Sequence, residues 1–325
     1  MKSELLGMDQ KYSDNSLAQY QCHEFAKHHL KNAALKINLN KEIIKIGVYG
    51  CGPGDNDLLA LQQHFIPHVN NKNAKFEIYM IDIAKNKWSQ LDHHYQDIKV
   101  FGITSDIYKK ILPEGSLDLV ISFSCLHWFR KIPFDISNEF SWSCLNTDKK
   151  NILRNYLDQS LIEFLEARRF EMSENAQMIL SFDGEFSQEN HQYQGPTDCL
   201  VKIIKKIKLQ QELQNFFIPT GPRTINNVRK CFKKVDLKLN EICLKYIECP
   251  IWDKYKLNLD QEILRYRFAE EINKSIISCV LPILKNHISE DFIELLEHEM
   301  IEFLVYQPLK KWSTAGNVIL LTCHI

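Results

Sequence analysis

Residues 45–56, Lys-Ile-Gly-Val-Tyr-Gly-Cys-Gly-Pro-Gly-Asp-Asn, contain the feature that decides the fold. A short apolar run ends at Tyr49, glycines stand at Gly50, Gly52 and Gly54, and a helical pattern of leucines follows directly. Glycine allows the backbone to turn sharply and to approach a ligand closely, and the helix that follows presents unpaired N–H groups. The stretch therefore predicts a nucleotide-binding turn after the first strand of a doubly wound α/β sheet.

Length, charge and cysteine content restrict the class of protein. The chain has 325 residues, enough for one large α/β domain, and its 40 basic residues balance 41 acidic ones. This charge balance gives no indication of binding to nucleic acid or to an anionic membrane. The ten cysteines include no C-x-x-C pair, and we find neither a signal sequence nor an apolar run of 18 residues. We therefore expect a soluble, cytoplasmic protein with reduced thiols that binds neither nucleic acid nor membrane.

Short apolar segments alternate with helical or loop stretches, which is the pattern of a parallel sheet. A strong amphipathic helix is predicted over residues 154–171, between the third and fourth segments. A further pair of alternating apolar stretches in residues 227–249 is interpreted as strands. The four apolar segments are residues 43–49, 76–81, 117–123 and 177–182.

Two helical regions interrupt the predicted sheet. Residues 195–226 are helical and rich in lysine, and residues 259–308 are typical of two or three helices with an apolar face. We interpret such a block, placed between strands of one sheet, as a cap over the ligand site. The predicted organisation is a cofactor-binding core over 1–194, a cap segment over 195–226, core strands over 227–250, a larger helical cap over 251–310 and a final core strand over 311–325.

The ends of the other strands should converge on the glycine turn, because ligands bind beyond the carboxyl ends of such strands. Asp82 ends the second strand, where an acidic residue can accept hydrogen bonds from both hydroxyls of a ribose. The third strand runs into His127 and Trp128. The indole N–H of Trp128 is a donor without acceptor capacity, which suits a carboxylate ligand. The alternatives are a solvated aspartate at a strand end and a tryptophan that only fills the core.

Several spaced motifs together carry a resemblance: Tyr12 to Gln19 (Tyr-Ser-Asp-Asn-Ser-Leu-Ala-Gln), residues 50–56, 81–88 and 122–129, Ile132-Pro133, residues 164–171 and Ile218-Pro219. With these motifs the chain resembles the SABATH family of methyltransferases, which methylate carboxylic acids or purine nitrogens with S-adenosylmethionine. The resemblance implies a class I methyltransferase fold: a Rossmann-like α/β sheet with helices on both faces and a helical cap. It also implies that the protein methylates the carboxylate of a small organic acid, with S-adenosylhomocysteine as the second product.

The resemblance assigns roles to particular residues. Gln19 and Trp128 would hydrogen-bond the acceptor carboxylate, with His127 beside them. The residues that would hold the cofactor are Tyr12, Ser16, Gly50, Cys51, Gly52, Gly54, Asn56, Asp82, Ile83, Asp106, Ile107 and Ser122.

The chain departs from the family pattern on the cofactor side and on the acceptor side. Val48 stands where the family usually has aspartate, so one polar contact to the cofactor is missing or replaced. Asp106 stands where the family has a serine near the adenine. On the acceptor side, Ser124 replaces an aromatic residue, which reshapes the pocket. Gln214 and Phe217 occupy the positions through which some members bind magnesium, so we expect no metal.

Three hypotheses remain open at this point. The first is a carboxyl O-methyltransferase for a small acid, and the second is an N-methyltransferase for a small heterocycle, in which His127 would matter more. The third is a catalytically silent binding protein, for which Val48 and Asp106 are the best support. An NAD-dependent oxidoreductase also begins with a glycine turn, but nothing in this sequence offers a hydride-transfer site. Dimers are common in the family, which leaves a homodimer open.

Overall fold

A seven-stranded sheet forms the centre of the protein, in a computed structural model that describes residues 17–38, 40–83, 97–136, 138–185, 196–307 and 314–325. Its strands are β1 (Ile43–Tyr49), β2 (Lys75–Asp82), β3 (Ile98–Thr104), β4 (Leu117–Phe123), β5 (Met172–Asp183), β6 (Lys238–Glu248) and β7 (Thr314–His324). The order across the sheet is β3-β2-β1-β4-β5-β7-β6. Strands β1 to β5 are parallel, and β7 is antiparallel to both of its neighbours.

Eight α-helices accompany these strands in the described part of the chain. They are α1 (Leu17–Lys36), α2 (Asp55–His64), α3 (Thr147–Glu171), α4 (Pro196–Lys206), α5 (Ile225–Val235), α6 (Pro250–Tyr255), α7 (Glu262–Leu284) and α8 (Glu290–Tyr306). None of these helices combines the length and the apolar character that a membrane span requires.

Helices cover both faces of the sheet. Successive side chains of a strand point to opposite faces, so each strand packs against helices on both sides. In β1, Ile46 and Val48 pack into an apolar cluster with α1 and α2, whereas Tyr49 packs into a second cluster with α3 and α5. All seven residues of β4 are buried, as expected of a parallel strand with both faces covered. A third apolar cluster joins α4, α6, α7 and α8.

The four predicted strands of the core and the final strand are confirmed, and the predicted helical block at residues 259–308 consists of two helices, α7 and α8. The role of that block as a cap stays a prediction. The predicted helix 154–171 begins seven residues earlier, where the Asn146 side chain accepts a hydrogen bond from the Lys149 N–H at 2.9 Å. This bond caps the first turn of α3.

Other expectations differ from the structure. Residues 227–249 hold only one strand, because α5 covers residues 225–235 and Asp236 ends it in the left-handed region with φ +57°. The apolar alternation around Val235 therefore crosses a helix end. In residues 195–226 the helix α4 ends at Lys206, and turns follow it. Strand β3 was not predicted: it is an edge strand, and most of its residues are partly or fully exposed.

Candidate active site

The turn between β1 and α2 has the conformation that its glycines predict. Gly50, Gly52 and Gly54 have φ of +70°, +59° and +92°, a region that favours glycine. The Gly50 N–H donates to the Ile81 carbonyl at 2.8 Å, which fixes the turn to the end of β2. A Cβ added to Gly50 would clash with the Cys125 Sγ and lie 2.6 Å from the Cys125 Cβ, whereas one added to Gly52 would meet no described residue within 4 Å. The turn is thus packed against the loop after β4.

Asp82 lies beside this turn, as predicted. Its Oδ2 accepts a hydrogen bond from the Gly52 N–H at 2.6 Å, and its Oδ1 accepts one from the Ile83 N–H at 2.6 Å. Two backbone donors therefore orient the carboxylate at the end of β2. An ionised carboxylate only accepts hydrogen bonds, which suits the hydroxyl donors of a ribose.

The acidic residues next to the turn give it a negative potential. Burial raises the pKa of the Cys51 thiol, and the charges of Asp82 and Asp57 raise it further. Asp57 is buried in the first turn of α2, and its Oδ1 lies 3.0 Å from the Nε2 of His23 on α1. Val48 is fully buried in the same layer of the protein, so its side chain offers no polar contact there.

The loop after β3 lies next to the glycine turn. The Asp106 Oδ1 accepts a hydrogen bond from the Tyr108 N–H at 3.1 Å, which closes the loop on itself. Ile107 is buried, and its Cδ1 lies 3.6 Å from the position of a Cβ on Gly50. The side chain of Ile107 therefore forms an apolar wall close to the turn.

A fully buried ion pair on α3 holds that loop. The Nε of Arg168 lies 2.8 Å from the Oε2 of Glu171, and neither side chain is exposed. The Arg168 guanidinium donates to the carbonyl oxygen of Ile107 and, at 2.6 Å, to that of Lys109. It also lies 3.9 Å over the ring of Tyr49, the last residue of β1. The motif 164–171 thus connects the strand before the glycine turn to the loop with Asp106 and Ile107.

His127 and Trp128 follow β4 at the same edge of the sheet. The backbone N–H of Trp128 donates to the Cys125 carbonyl at 2.9 Å, which makes the loop a tight turn. The Gly221 N–H donates to the His127 carbonyl at 3.1 Å, and Trp128 pairs with Thr220 as an isolated β-bridge. The loop that was predicted to bind the acceptor is therefore fixed to the segment before α5.

The His127 side chain is almost entirely buried, with 10% of its surface exposed. Burial lowers its pKa, the nearby charge of Asp183 raises it in part, and Arg223 lowers it again. The Nδ1 of His127 lies 3.7 Å from the Asp183 carboxylate, beyond hydrogen-bond distance. We conclude that His127 is a neutral imidazole at neutral pH, with one donor and one acceptor nitrogen.

Helix α1 contacts both the glycine-turn side of the site, through His23 and Asp57, and the end of β4. The Cys22 thiol hydrogen-bonds the Ser124 side chain, and the His23 ring packs against Phe123 with its centroid at 4.9 Å. Gln19 lies one helical turn before His23 in this helix. The helix that contains Gln19 is thus attached to the end of β4.

The sequence matches the family of SAM-dependent carboxyl methyltransferases over residues 7–322. The chain belongs to this family. The predicted resemblance to SAM-dependent carboxyl methyltransferases is therefore confirmed.

A solved structure shows that the fold is shared as well. Loganic acid methyltransferase with SAH has a TM-score of 0.79 at 16% sequence identity, and the match covers 98% of this chain and 97% of that one. The class I methyltransferase fold predicted for this family member is confirmed by this similarity and by the strand order.

Curated relatives from Arabidopsis thaliana match part of the chain. Salicylate/benzoate carboxyl methyltransferase is 24% identical over 198 residues, which are 53% of this chain and 52% of the relative. Farnesoic acid carboxyl-O-methyltransferase is 26% identical over 166 residues, which are 45% of this chain and 47% of the relative. The chain thus spans about half the length of the curated relatives that it matches.

The residue roles implied by the carboxyl methyltransferase family stay predictions. The structure brings together the glycine turn with Cys51 and Asn56, the residues Asp82 and Ile83, the loop with Asp106 and Ile107, and the His127–Trp128 loop. Ser122 is fully buried in β4, and its Oγ has no hydrogen-bond partner among the described residues. Tyr12 and Ser16 lie outside the described residues, as does the side chain of Gln19.

Sequence reasoning missed several residues that build the site. Arg168 and Glu171 were recognised within a motif, but without a role. Arg223 and the buried pair of His23 and Asp57 were not singled out at all. Only the motif gave a sequence signal, because the other contacts join residues that are far apart in the chain.

Proposed function

We propose that the protein transfers the methyl group of S-adenosylmethionine to the carboxylate of a small organic acid, which yields a methyl ester and S-adenosylhomocysteine. The observation that supports this most is the close packing of the glycine turn against the loop after β4, between Gly50 and Cys125. This packing brings the predicted cofactor residues next to the His127–Trp128 loop. Family membership supports the same reaction.

The residues around the turn fit a cofactor with a positive charge. When bound, S-adenosylmethionine supplies an electrophilic methyl group on a sulfonium centre. Asp82 would accept the ribose hydroxyls, and Ile107 would pack against the adenine. The charges of Asp57 and Asp82 favour a cationic ligand, as their effect on the pKa of Cys51 indicates. Tyr12 and Ser16 would close the cofactor site, according to the family resemblance.

The acceptor needs orientation rather than activation. A carboxylate with a pKa near 4 is ionised at neutral pH, so its oxygen is nucleophilic without a general base. Gln19 and the Trp128 indole N–H would hold it without neutralising its charge. His127 would add a neutral hydrogen-bond partner, because burial lowers its pKa. Correct orientation of two reactants can contribute roughly 7–11 kcal/mol to a rate acceleration.

One observation favours N-methylation of a heterocycle as the second candidate. A buried, neutral His127 close to the Asp183 carboxylate could accept a proton from a ring nitrogen. The acceptor panel described below distinguishes the two reactions, because an N-methylated product resists alkaline hydrolysis whereas a methyl ester does not.

A homodimer and a cytoplasmic location complete the proposal. Exposed apolar side chains at Ile263 and Tyr306 support self-association, since 63% and 67% of their surfaces are exposed. The ten free cysteines support a reducing compartment. Light scattering during size-exclusion chromatography should give a mass near twice 38.2 kDa, and a single-chain mass would contradict the dimer. Fractionation of cells that express the protein should recover it in the cytosol, and recovery elsewhere would contradict that location.

The function is tested by methyl transfer and by cofactor binding on the purified protein. Labelled S-adenosylmethionine is incubated with salicylate, benzoate, farnesoate, gibberellate and a set of heterocycles, and the products are identified by mass spectrometry. We expect a methyl ester from at least one acid. Calorimetry should show binding of S-adenosylhomocysteine and none of NAD. Binding of S-adenosylhomocysteine without any product would favour the silent binding protein, and preference for NAD would refute the methyltransferase.

A further inference from the structure

Arg223 is a buried cation that lies behind the His127–Trp128 loop. Only 2% of its surface is exposed. Its Nη1 donates to the carbonyl oxygen of Leu126 at 2.7 Å, and its Nη2 donates to that of Leu157 on α3 at 2.9 Å. Its backbone N–H donates to the Asp183 carbonyl at 3.0 Å, at the end of β5. One residue therefore connects the loop after β4 to a helix and to the neighbouring strand.

The loop is held from its other side by the segment that precedes Arg223. The Gly221 N–H donates to the His127 carbonyl at 3.1 Å, and the Phe129 N–H donates to the Pro219 carbonyl at 3.0 Å. The guanidinium and this segment thus hold four consecutive residues of the loop, 126–129, in one arrangement. Trp128, the residue expected to bind the acceptor, lies in the middle of them.

Burial of the Arg223 guanidinium costs stability, so stability alone does not account for an arginine at this position. In the described part of the chain no carboxylate hydrogen-bonds to its guanidinium, and its Nε has no hydrogen-bond partner. Asp158 and Asp183 affect it through their charges only, and burial lowers its pKa. A buried charge carries a large desolvation penalty, and a packed apolar side chain is often as stabilising. The planar fork of arginine can span two carbonyl oxygens, which the single ammonium of lysine cannot do in the same way.

Arg168 has a matching arrangement in the cofactor half of the site. It is also fully buried, and it donates to the carbonyl oxygens of Ile107 and Lys109 in the loop after β3. The two arginines therefore contact different loops. The loop held by Arg168 has the predicted cofactor residues, and the loop held by Arg223 has the predicted acceptor residues.

We propose that Arg223 is a positioning residue for the acceptor, which fixes the His127–Trp128 loop, and that Arg168 has the separate task of fixing the cofactor loop. The proposal rests on the proposed function, because the acceptor role of Trp128 belongs to it. Each arginine would act on its ligand through the loop whose carbonyl oxygens it binds.

The test compares Arg223→Lys with Arg168→Lys, since both changes keep the charge and lose the fork. Dissociation constants are measured by calorimetry for S-adenosylhomocysteine alone, and then, with S-adenosylhomocysteine at saturation, for the acid of the panel that is methylated fastest. Arg223→Lys should raise the dissociation constant of the acid at least fivefold and leave that of S-adenosylhomocysteine within twofold. Arg168→Lys should raise the dissociation constant of S-adenosylhomocysteine at least fivefold and leave that of the acid within twofold.

General destabilisation would weaken the binding of both ligands in both variants, and that result would overturn the proposal. An unchanged acid affinity in Arg223→Lys would overturn it as well. If no acid is methylated, the proposed function fails, whereas the effect of Arg168→Lys on S-adenosylhomocysteine is still measured.

A second measurement uses the wild-type protein and does not depend on folding of a variant. Hydrogen exchange is followed at the Phe129 and Gly221 amides, which donate across the two segments. The acid should slow exchange at both amides together, since they belong to one positioned unit. Slowing at only one of them, or at neither, would refute the positioning role.

Discussion

Gly50→Ala tests whether the cofactor turn and the acceptor loop are packed as closely as the structure shows. Alanine at this position has to adopt φ near +70°, which costs about 1–2 kcal/mol for a residue with a Cβ. Its Cβ also clashes with the Cys125 side chain, and overpacking of this kind costs about 1–3 kcal/mol. We therefore expect Gly50→Ala to lower the free energy of unfolding by about 2–5 kcal/mol, as measured by urea denaturation.

Gly115→Ala is the matched control. Gly115 has φ +60°, and a Cβ added to it would meet nothing within 4 Å in the described part of the chain. It should therefore show the backbone cost alone, about 1–2 kcal/mol, with unchanged binding of S-adenosylhomocysteine. Gly50→Ala should weaken that binding as well, because the turn has to move away from Cys125.

The Cys125→Gly background separates the two costs of Gly50→Ala. It removes the two Cys125 atoms with which the new Cβ would clash and leaves only the ordinary contact with Ile107, so Gly50→Ala should lose about 1–3 kcal/mol less in this background than in the wild type. If Gly50→Ala were no more destabilising than Gly115→Ala, the close approach of turn and loop would be refuted.

Three further predictions concern the two halves of the site. Trp128→Phe removes the indole N–H, and a hydrogen bond to a charged group contributes about 1.5–3 kcal/mol; the dissociation constant of the acid should rise at least tenfold while that of S-adenosylhomocysteine stays within twofold, and an unchanged acid affinity would exclude the assigned role. Glu171→Gln leaves the buried Arg168 without its carboxylate, so urea denaturation should show a loss of about 3–5 kcal/mol, and a loss below 1 kcal/mol would contradict the network. Burial lowers the pKa of His127 in the folded state. Below the unfolded-state pKa of about 6.5, the unfolded protein therefore binds more protons than the folded one. Its contribution to stability is complete above that pH and is lost as the pH falls toward the folded pKa. His127→Gln should therefore lose less stability than the wild type between pH 7.5 and 5.5, and parallel curves would show that the pKa is not lowered.

The sequence predicted the central part of the sheet because its strands are buried on both faces. Strand β4 is a continuous apolar run for that reason, and its predicted bounds are those observed. Strand β3 escaped prediction because an edge strand has exposed positions on both of its faces. The stretch around Val235 was misinterpreted because apolar residues at a helix end and at a strand start follow each other without a break.

The candidate site was predictable where neighbouring residues supply the chemistry. The glycine turn and the His127–Trp128 pair are local patterns, and Asp82 follows from its place at a strand end. Arg223 could not be predicted, because its partner Leu126 lies 97 positions away and a single arginine in a loop has no distinctive pattern. The sequence shows that Val48 stands where the family usually has aspartate, but only the structure shows that this side chain is buried in an apolar layer.

A single-turnover experiment tests directly whether the protein methylates a carboxylate. Purified protein in excess is mixed with S-adenosylmethionine labelled in the methyl group and with the acid that the panel identifies, and the products are treated with alkali. Each cofactor consumed should yield one labelled methanol, because a methyl ester hydrolyses under these conditions, and one S-adenosylhomocysteine. Label that stays on the acceptor after alkali, or S-adenosylhomocysteine formed without labelled methanol, would contradict methylation of a carboxylate.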